Sequence, residues 1–200
     1  MILFITIKYK MDKTTICVIV RTKNEVDIIE VLNVTLQYAT DYIIYDHHST
    51  DNTVMLCDQF FKDHNIEGQV FYNKSNRLSD QDLLDLGKYT ISTYLWLYDT
   101  SKILNGTLII PKLLHDCYNV KYKYLDLEFN ITQLFCNNIK WQEKGTIHTY
   151  IEPEDNTPYQ SVTIGGDYHF TDRYVQKHLP SDPKNLGHIM DVIQHEIKNN

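Results

Sequence analysis

The chain has no C-x-x-C pair, and its four cysteines, Cys17, Cys57, Cys117 and Cys136, lie far apart. That spacing excludes a zinc knuckle and a dithiol redox motif. Cys17 and Cys57 fall at apolar positions and read as small core residues, in keeping with a reducing compartment. No apolar run approaches the roughly 20 residues that a membrane span requires. The opening Met1–Ile7 is too short for a signal sequence and no small-residue cleavage site follows it, so a cytoplasmic location is expected. Net charge is -7, acids and bases are interspersed, and no basic stripe exists, so nucleic acid is not an expected partner. Internal repeats, low-complexity tracts and linkers are absent. Alanine is nearly absent too, with Ala39 alone, which suggests an AT-rich coding sequence. No glycine follows the first strand, which argues against an α/β enzyme built on a Gly-rich phosphate loop.

What is present is ordinary globular composition: 200 residues, 42% hydrophobic and 22% charged, enough for one domain with a sizeable core. Residues 1–10 read as an extension ahead of a single domain over 11–200. Apolar runs predict strands at Thr14–Arg21, Asp41–Tyr45, Gln69–Asn73 and Thr93–Tyr98. Between them, helices are predicted over Glu25–Ala39, Asn52–His64 and from Ser79 to about Ser92. The first carries Ile28, Ile29, Leu32, Leu36 and Ala39 on its buried stripe, with Asn24 as N-cap. The second faces Val54, Met55, Cys57, Phe60 and Phe61 inward, capped by Asp51 or Ser49. Ser79-x-x-Asp82 resembles a capping box for the third. Beyond residue 104 the periodicity changes, with strands expected at Thr107–Pro111, Val120–Leu127, Leu134–Cys136, Ile147–Ile151 and Val162–Ile164, and a helix at Leu186–Lys198. The expected fold class is α/β, a central mixed sheet flanked by helices, with residues 14–104 as one half and a β-rich half over 105–200.

Two polar turns follow the first two strands: Arg21-Thr22-Lys23-Asn24-Glu25, and Asp46-His47-His48-Ser49-Thr50-Asp51-Asn52-Thr53. Open α/β sheets bind ligands at the carboxyl ends of their strands. Asp46 there suits acceptance of an imide N–H such as N3 of uracil, or else it bonds the backbone of Ser49 or Thr50 in a turn. Arg21 and Lys23 suit phosphate, and Glu25 suits base or ribose. Alternatively this is a solvated turn.

The two turns resemble the start of family-2 nucleotide-sugar glycosyltransferases, where one strand ends in K-N-E and the next in D-x-G-S-T-D-N-T. His48 stands at the family's glycine, so it must take a positive φ under strain or reshape the pocket. The family's L-D-A-D-E is matched by Leu97-Tyr98-Asp99-Thr100-Ser101-Lys102, which keeps Asp99 and puts Ser101 and Lys102 where acids stand. The resemblance implies Mn²⁺ or Mg²⁺ on Asp99, with His169 as a further ligand. Lys102 could supply positive charge in the metal's stead. Arg173 is the implied diphosphate contact. Residues 134–151 resemble the stretch of the branch often linked to tetratricopeptide repeats. There Trp141 and Tyr150 either stack on a sugar or pack in the core. Thr149 replaces the family's Glu, leaving His148 or Glu143 as base. The implied fold is GT-A-like and Rossmann-related. The implied activity is sugar transfer, with inversion, from a nucleoside diphosphate sugar to an unidentified glycan, protein or lipid. The alternative is an inactive nucleotide-sugar or glycan-binding module of the same fold.

Overall fold

The run Ile16-Cys17-Val18-Ile19-Val20 is apolar at every position, which suits a strand covered on both faces. In the computed structural model, which describes residues 14–25, 27–73, 79–145 and 149–173, it is β1 (Ile16–Thr22), with residues 16–20 all buried. There follow α1 (Ile28–Leu36), β2 (Asp41–Asp46), α2 (Thr53–His64), β3 (Glu67–Tyr72), α3 (Asp80–Asp85) with a 3-10 turn over Leu86–Tyr89, and β4 (Tyr94–Asp99). The second half contains β5 (Lys102–Gly106), β6 (Cys117–Tyr124), β7 (Leu127–Cys136), β8 (Trp141–Lys144), β9 (Tyr150–Pro153), β10 (Ser161–Thr163) and β11 (Tyr168–Asp172). Among the described residues a nine-stranded sheet runs β3-β2-β1-β4-β7-β6-β11-β5, with β10 added against β6. β3, β2, β1 and β4 are parallel, and β7 joins β4 antiparallel. β8 and β9 form a separate hairpin. The fold is thus mixed α/β, a large central mixed sheet flanked by helices.

Strand alternation divides the core between the two faces. Val18, Val20, Ile44 and Trp96 meet Ile28 and Leu32 of α1 and Cys57, Phe60 and Phe61 of α2. Cys17, Ile19, Ile43, Leu95 and Leu97 meet Leu83 and Leu84 of α3 and Trp141 of β8. Cys17, Cys57 and Cys117 are buried free thiols. Burial pushes the Cys57 thiol up to about 12 and the Cys117 thiol up to about 11, so both are inert. No helix among the described residues is long and apolar enough to cross a membrane.

Several elements differ from expectation. α1 is shorter than Glu25–Ala39, and its N-cap is Asp27, not Asn24. Asn24 is drawn away because its Oδ1 accepts from Thr50 N–H at 2.7 Å while its own φ is 50°. Met55 points outward, 59% exposed, and Leu56 packs instead. No strand forms at Thr107–Pro111; the segment is a loop that buries Leu108 and exposes Ile109, and the strand precedes it as β5. The expected strand Val120–Leu127 is two strands, because Leu125 turns the chain at φ 54°. β11 was not foreseen. Ser79 does cap α3, accepting from Gln81 N–H at 3.1 Å, but the helix ends early in the 3-10 turn. Residues 1–10 and the helix expected at Leu186–Lys198 lie outside the described residues.

The β5–β11 join depends on Gly106. Its φ is 81°, and a Cβ there would lie 2.3 Å from the Asp167 carbonyl oxygen. Gly106→Ala is therefore expected to lower unfolding free energy by about 1–3 kcal/mol, the scale of a forced left-handed residue. Urea denaturation checks this, and an unchanged midpoint would mean that the turn relaxes freely.

Candidate functional site

β1 lies between β2 and β4, and the chain leaves it toward β2 and β3 on one side while β4 lies on the other. This reversal is a topological switch point, where open α/β sheets form a crevice beyond the carboxyl ends of the strands. Register places the relevant residues on that edge: Arg21 opposite both Tyr45 and Asp99, and Thr22 opposite Asp46. With neighbouring strands about 4.8 Å apart, the ends of β2 and β4 are separated by about 10 Å. Asp46, Asp99 and the Arg21–Glu25 turn therefore share one edge.

The two turns are joined to each other. Asn24 N–H donates to Ser49 Oγ at 2.8 Å and Glu25 N–H to Thr53 Oγ1 at 2.8 Å. Asp46 is fully buried. It accepts from Ser49 N–H at 2.9 Å and from Ser49 O–H at 2.5 Å. Of the two roles open to it, Asp46 performs the turn role here. Of the two outcomes expected for His48, the structure shows the positive φ, at 57°, and its ring stacks on Tyr72 at 6.4 Å. Lys23 is exposed and Glu25 is half-buried.

Each of the other cations expected to meet phosphate is already engaged by a carboxylate. Arg21 donates to Asp80 at 2.6 Å and to the Ser79 carbonyl at 3.1 Å. Lys102 meets Asp172 at 2.7 Å. Arg173 bridges Asp27 at 2.6 Å and Glu30 at 3.1 Å, and its N–H donates to the Ser101 carbonyl at 2.7 Å.

The residues expected to hold a metal do not converge. Asp99 Oδ1 accepts from Ser101 N–H at 2.8 Å. Asp172, beside Ser101 and Lys102, marks the near end of β11. His169 lies three residues up that strand, opposite Asn105, about 10 Å away and on the other face of the sheet. Among the described residues no group of three or more His, Cys, Asp or Glu side chains could hold a metal ion. The donor set beside Asp99 is one carboxylate, one hydroxyl and an ammonium-neutralised second carboxylate, which does not fit a divalent cation held by protein ligands alone.

Glu143, an expected base, is tied down. Burial would raise its carboxyl, but hydrogen bonds from Ser79 O–H, Gln81 N–H and Thr149 outweigh that and hold it below its ordinary value. Gln81 in turn accepts from Glu143 N–H at 2.7 Å. A carboxylate so held is a weak proton acceptor. Its stabilisation is present above the ordinary value of 4.5 and is lost as pH falls through the lower folded value. Glu143→Gln should therefore lower Tm by about 1–3 °C at pH 7, a screened, half-exposed contribution. The gap to the wild type should narrow as pH falls below the ordinary value of 4.5 and close once the lower folded value is passed. Thermal melts from pH 3 to 8 test this, and a constant gap would show that the charge is irrelevant.

Trp141 takes the core role: it is 6% exposed, donates Nε1–H to the Cys136 carbonyl at 2.9 Å and packs edge-on against Phe135. Tyr150, 56% exposed, is open to stacking. His148 lies outside the described residues.

Sequence reasoning missed the most telling feature of this edge. Among the described residues four buried side-chain atoms lack a hydrogen-bond partner: Arg21 Nε, Thr22 Oγ1, His47 Nε2 and Arg173 Nε. Arg21, Thr22 and His47 lie at the carboxyl ends of β1 and β2, and Arg173 follows β11 with its backbone N–H on the Ser101 carbonyl just beyond β4; such orphaned groups are uncommon in folded proteins. A 470 Å³ cleft lined by Asp116, Lys140, Glu154 and Tyr159 lies at the opposite edge, where β7 ends beside the start of β4, and meets none of these residues.

The sequence matches no protein-family profile, and no curated protein matches it. Among solved structures, the chain is similar to the mannosyltransferase PcManGT from Pyrobaculum calidifontis in complex with GDP-Man and Mn²⁺, at 18% identity over 46% of this chain, with a TM-score of 0.39. It is similar to S. aureus TarS residues 1–349 in complex with UDP, at 16% identity over 56% of this chain, with a TM-score of 0.40. It is also similar to HddC from Yersinia pseudotuberculosis, at 10% identity over 78% of this chain and 92% of that one, with a TM-score of 0.43. The matched part covers only 28% of the mannosyltransferase chain and 37% of TarS. No residue role passes from these likenesses to this chain.

Proposed function

We propose that the chain binds a nucleoside diphosphate sugar at the carboxyl edge of β2, β1 and β4 and transfers the sugar to an acceptor hydroxyl, as a family-2-like glycosyltransferase. One observation carries this reading: the four orphaned atoms, three beside the switch point and one on Arg173 next to Ser101, are three N–H donors and one hydroxyl. Such a set calls for a ligand rich in acceptor oxygens, which a diphosphate with its ribose and base supplies. Lys102, Arg173, Arg21 and Lys23 would hold the diphosphate, Glu25 the ribose, and Tyr150 a sugar face. In the transfer, an acceptor oxygen attacks the anomeric carbon, the bond from that carbon to the phosphate oxygen breaks, and the nucleoside diphosphate leaves. The acceptor's proton passes to His148, since the bonds that hold Glu143 make it a poor base.

The bonds that hold Glu143 favour a second reading, a binding module without transfer. Calorimetry with UDP- and GDP-sugars tests binding, and release of nucleoside diphosphate in the presence of acceptors tests transfer. Binding without release selects the module. Absence of binding removes both readings.

A further inference from the structure

His47 presents a donor with a fixed tautomer. Tyr45 O–H donates to Asn73 Oδ1 at 2.8 Å, which orients that amide. The amide's Nδ2 then lies 2.6 Å from His47 Nδ1. An amide nitrogen only donates, so Nδ1 accepts and the proton sits on Nε2. Nε2 is buried and has no partner among the described residues. Tyr45 packs edge-on against the imidazole at 5.2 Å and fixes its plane. Burial, then the nearby Arg21, hold the imidazole below its ordinary pKa, so the ring is neutral at pH 7. The result is an uncharged N–H that cannot become an acceptor without breaking the Asn73 bond.

Its position separates it from the phosphate end of the crevice. His47 follows β2, about 10 Å from the end of β4, where Lys102 and Arg173 stand. Beside it the exposed Tyr72 stacks with His48, offering an aromatic face of the kind that bases stack on. Asp46 is spent on Ser49 and reads nothing outside its turn.

We infer that His47 is a specificity-determining residue whose Nε2–H selects nucleotides with a carbonyl acceptor on the base over those with an amine at that place. This rests on the reading of the edge as a nucleoside diphosphate site. A carbonyl such as O4 of uracil or O6 of guanine satisfies the donor. The amine of cytosine or adenine there sets donor against donor and leaves both unpaired, which buried sites reject strongly.

The test is calorimetric titration of the wild type, His47→Ala and His47→Gln with UDP, CDP, GDP and ADP. The wild type is expected to prefer UDP to CDP, or GDP to ADP, by at least about tenfold. His47→Ala should lose that preference, and His47→Gln, whose amide restores an N–H donor, should recover part of it. Matching thermal unfolding of the Gln variant separates lost recognition from lost folding. Equal affinities within each pair in the wild type, or a preference unchanged in His47→Ala, would overturn the inference and leave the nucleotide site standing. No binding of any of the four would overturn the site itself, and the inference with it.

Discussion

Asp46→Ala is expected to cost about 2–3 kcal/mol of stability, the scale of a buried charged group whose partners lose their acceptor. It should also weaken UDP binding by at least about tenfold. The carboxylate is fully buried and receives both the N–H and the O–H of Ser49. Ser49 Oγ also accepts from Asn24 N–H, so Asp46 organises both turns of the edge through one serine. Without it the positive φ of His48 and of Asn24 loses its support, and the donors of the edge disperse. Asp46→Asn, which keeps one oxygen acceptor, should fall between the two. Urea unfolding and UDP titration of the three proteins measure this. Full stability in Asp46→Ala with lost UDP binding would mean that Asp46 faces the nucleotide after all and that Ser49 is a secondary contact.

Lys102→Ala should weaken UDP binding by about tenfold or more, the loss of one charge-assisted phosphate contact, and wild-type binding should be the same in EDTA as in Mn²⁺. Lys102 stands where the resembled family carries an acid and pairs with Asp172 at 2.7 Å. On the proposed reading that ammonium would supply the charge that a divalent cation would otherwise bring, and His169 is too far along β11 to complete a metal site with Asp99. Ser101→Asp tests the converse, because each added carboxylate raises affinity for hard cations. That variant should gain a Mn²⁺ dependence which the wild type lacks. Wild-type binding that tightens tenfold with Mn²⁺ would instead place a metal between Asp99 and the phosphates.

The β1–α1–β2 path was legible because Ile16–Val20 and Tyr42–Tyr45 are unbroken apolar runs ending in polar turns, a pattern few other arrangements produce. The cap at Ser79 was legible from local spacing, and the positive φ of His48 was one of two outcomes that its place in the resembled turn allowed. The pairing of cations with carboxylates was not. Arg21 meets Asp80 from 59 residues away and Arg173 meets Asp27 from 146, and no periodicity encodes such contacts. Asp46 illustrates a different limit. A strand-end carboxylate reads alike whether it faces a ligand or its own turn, and only the position of the Ser49 hydroxyl decides between them. The turn at Leu125 stayed hidden because no Gly or Pro marks it; its one trace is the shift of phase at the adjacent apolar pair Tyr124-Leu125. His47 carried no sequence signal at all: its meaning depends on Asn73 and Tyr45 setting its tautomer.

The central claim is that the carboxyl edge of β2, β1 and β4 receives a nucleoside diphosphate. Its most direct measurement is calorimetric titration of the wild-type chain with UDP and GDP. The account predicts saturable binding of at least one of them with a Kd below about 1 mM, equivalent to about 4 kcal/mol, and its weakening in Lys102→Ala. Absence of binding for both nucleotides and their sugars at millimolar concentration would contradict it.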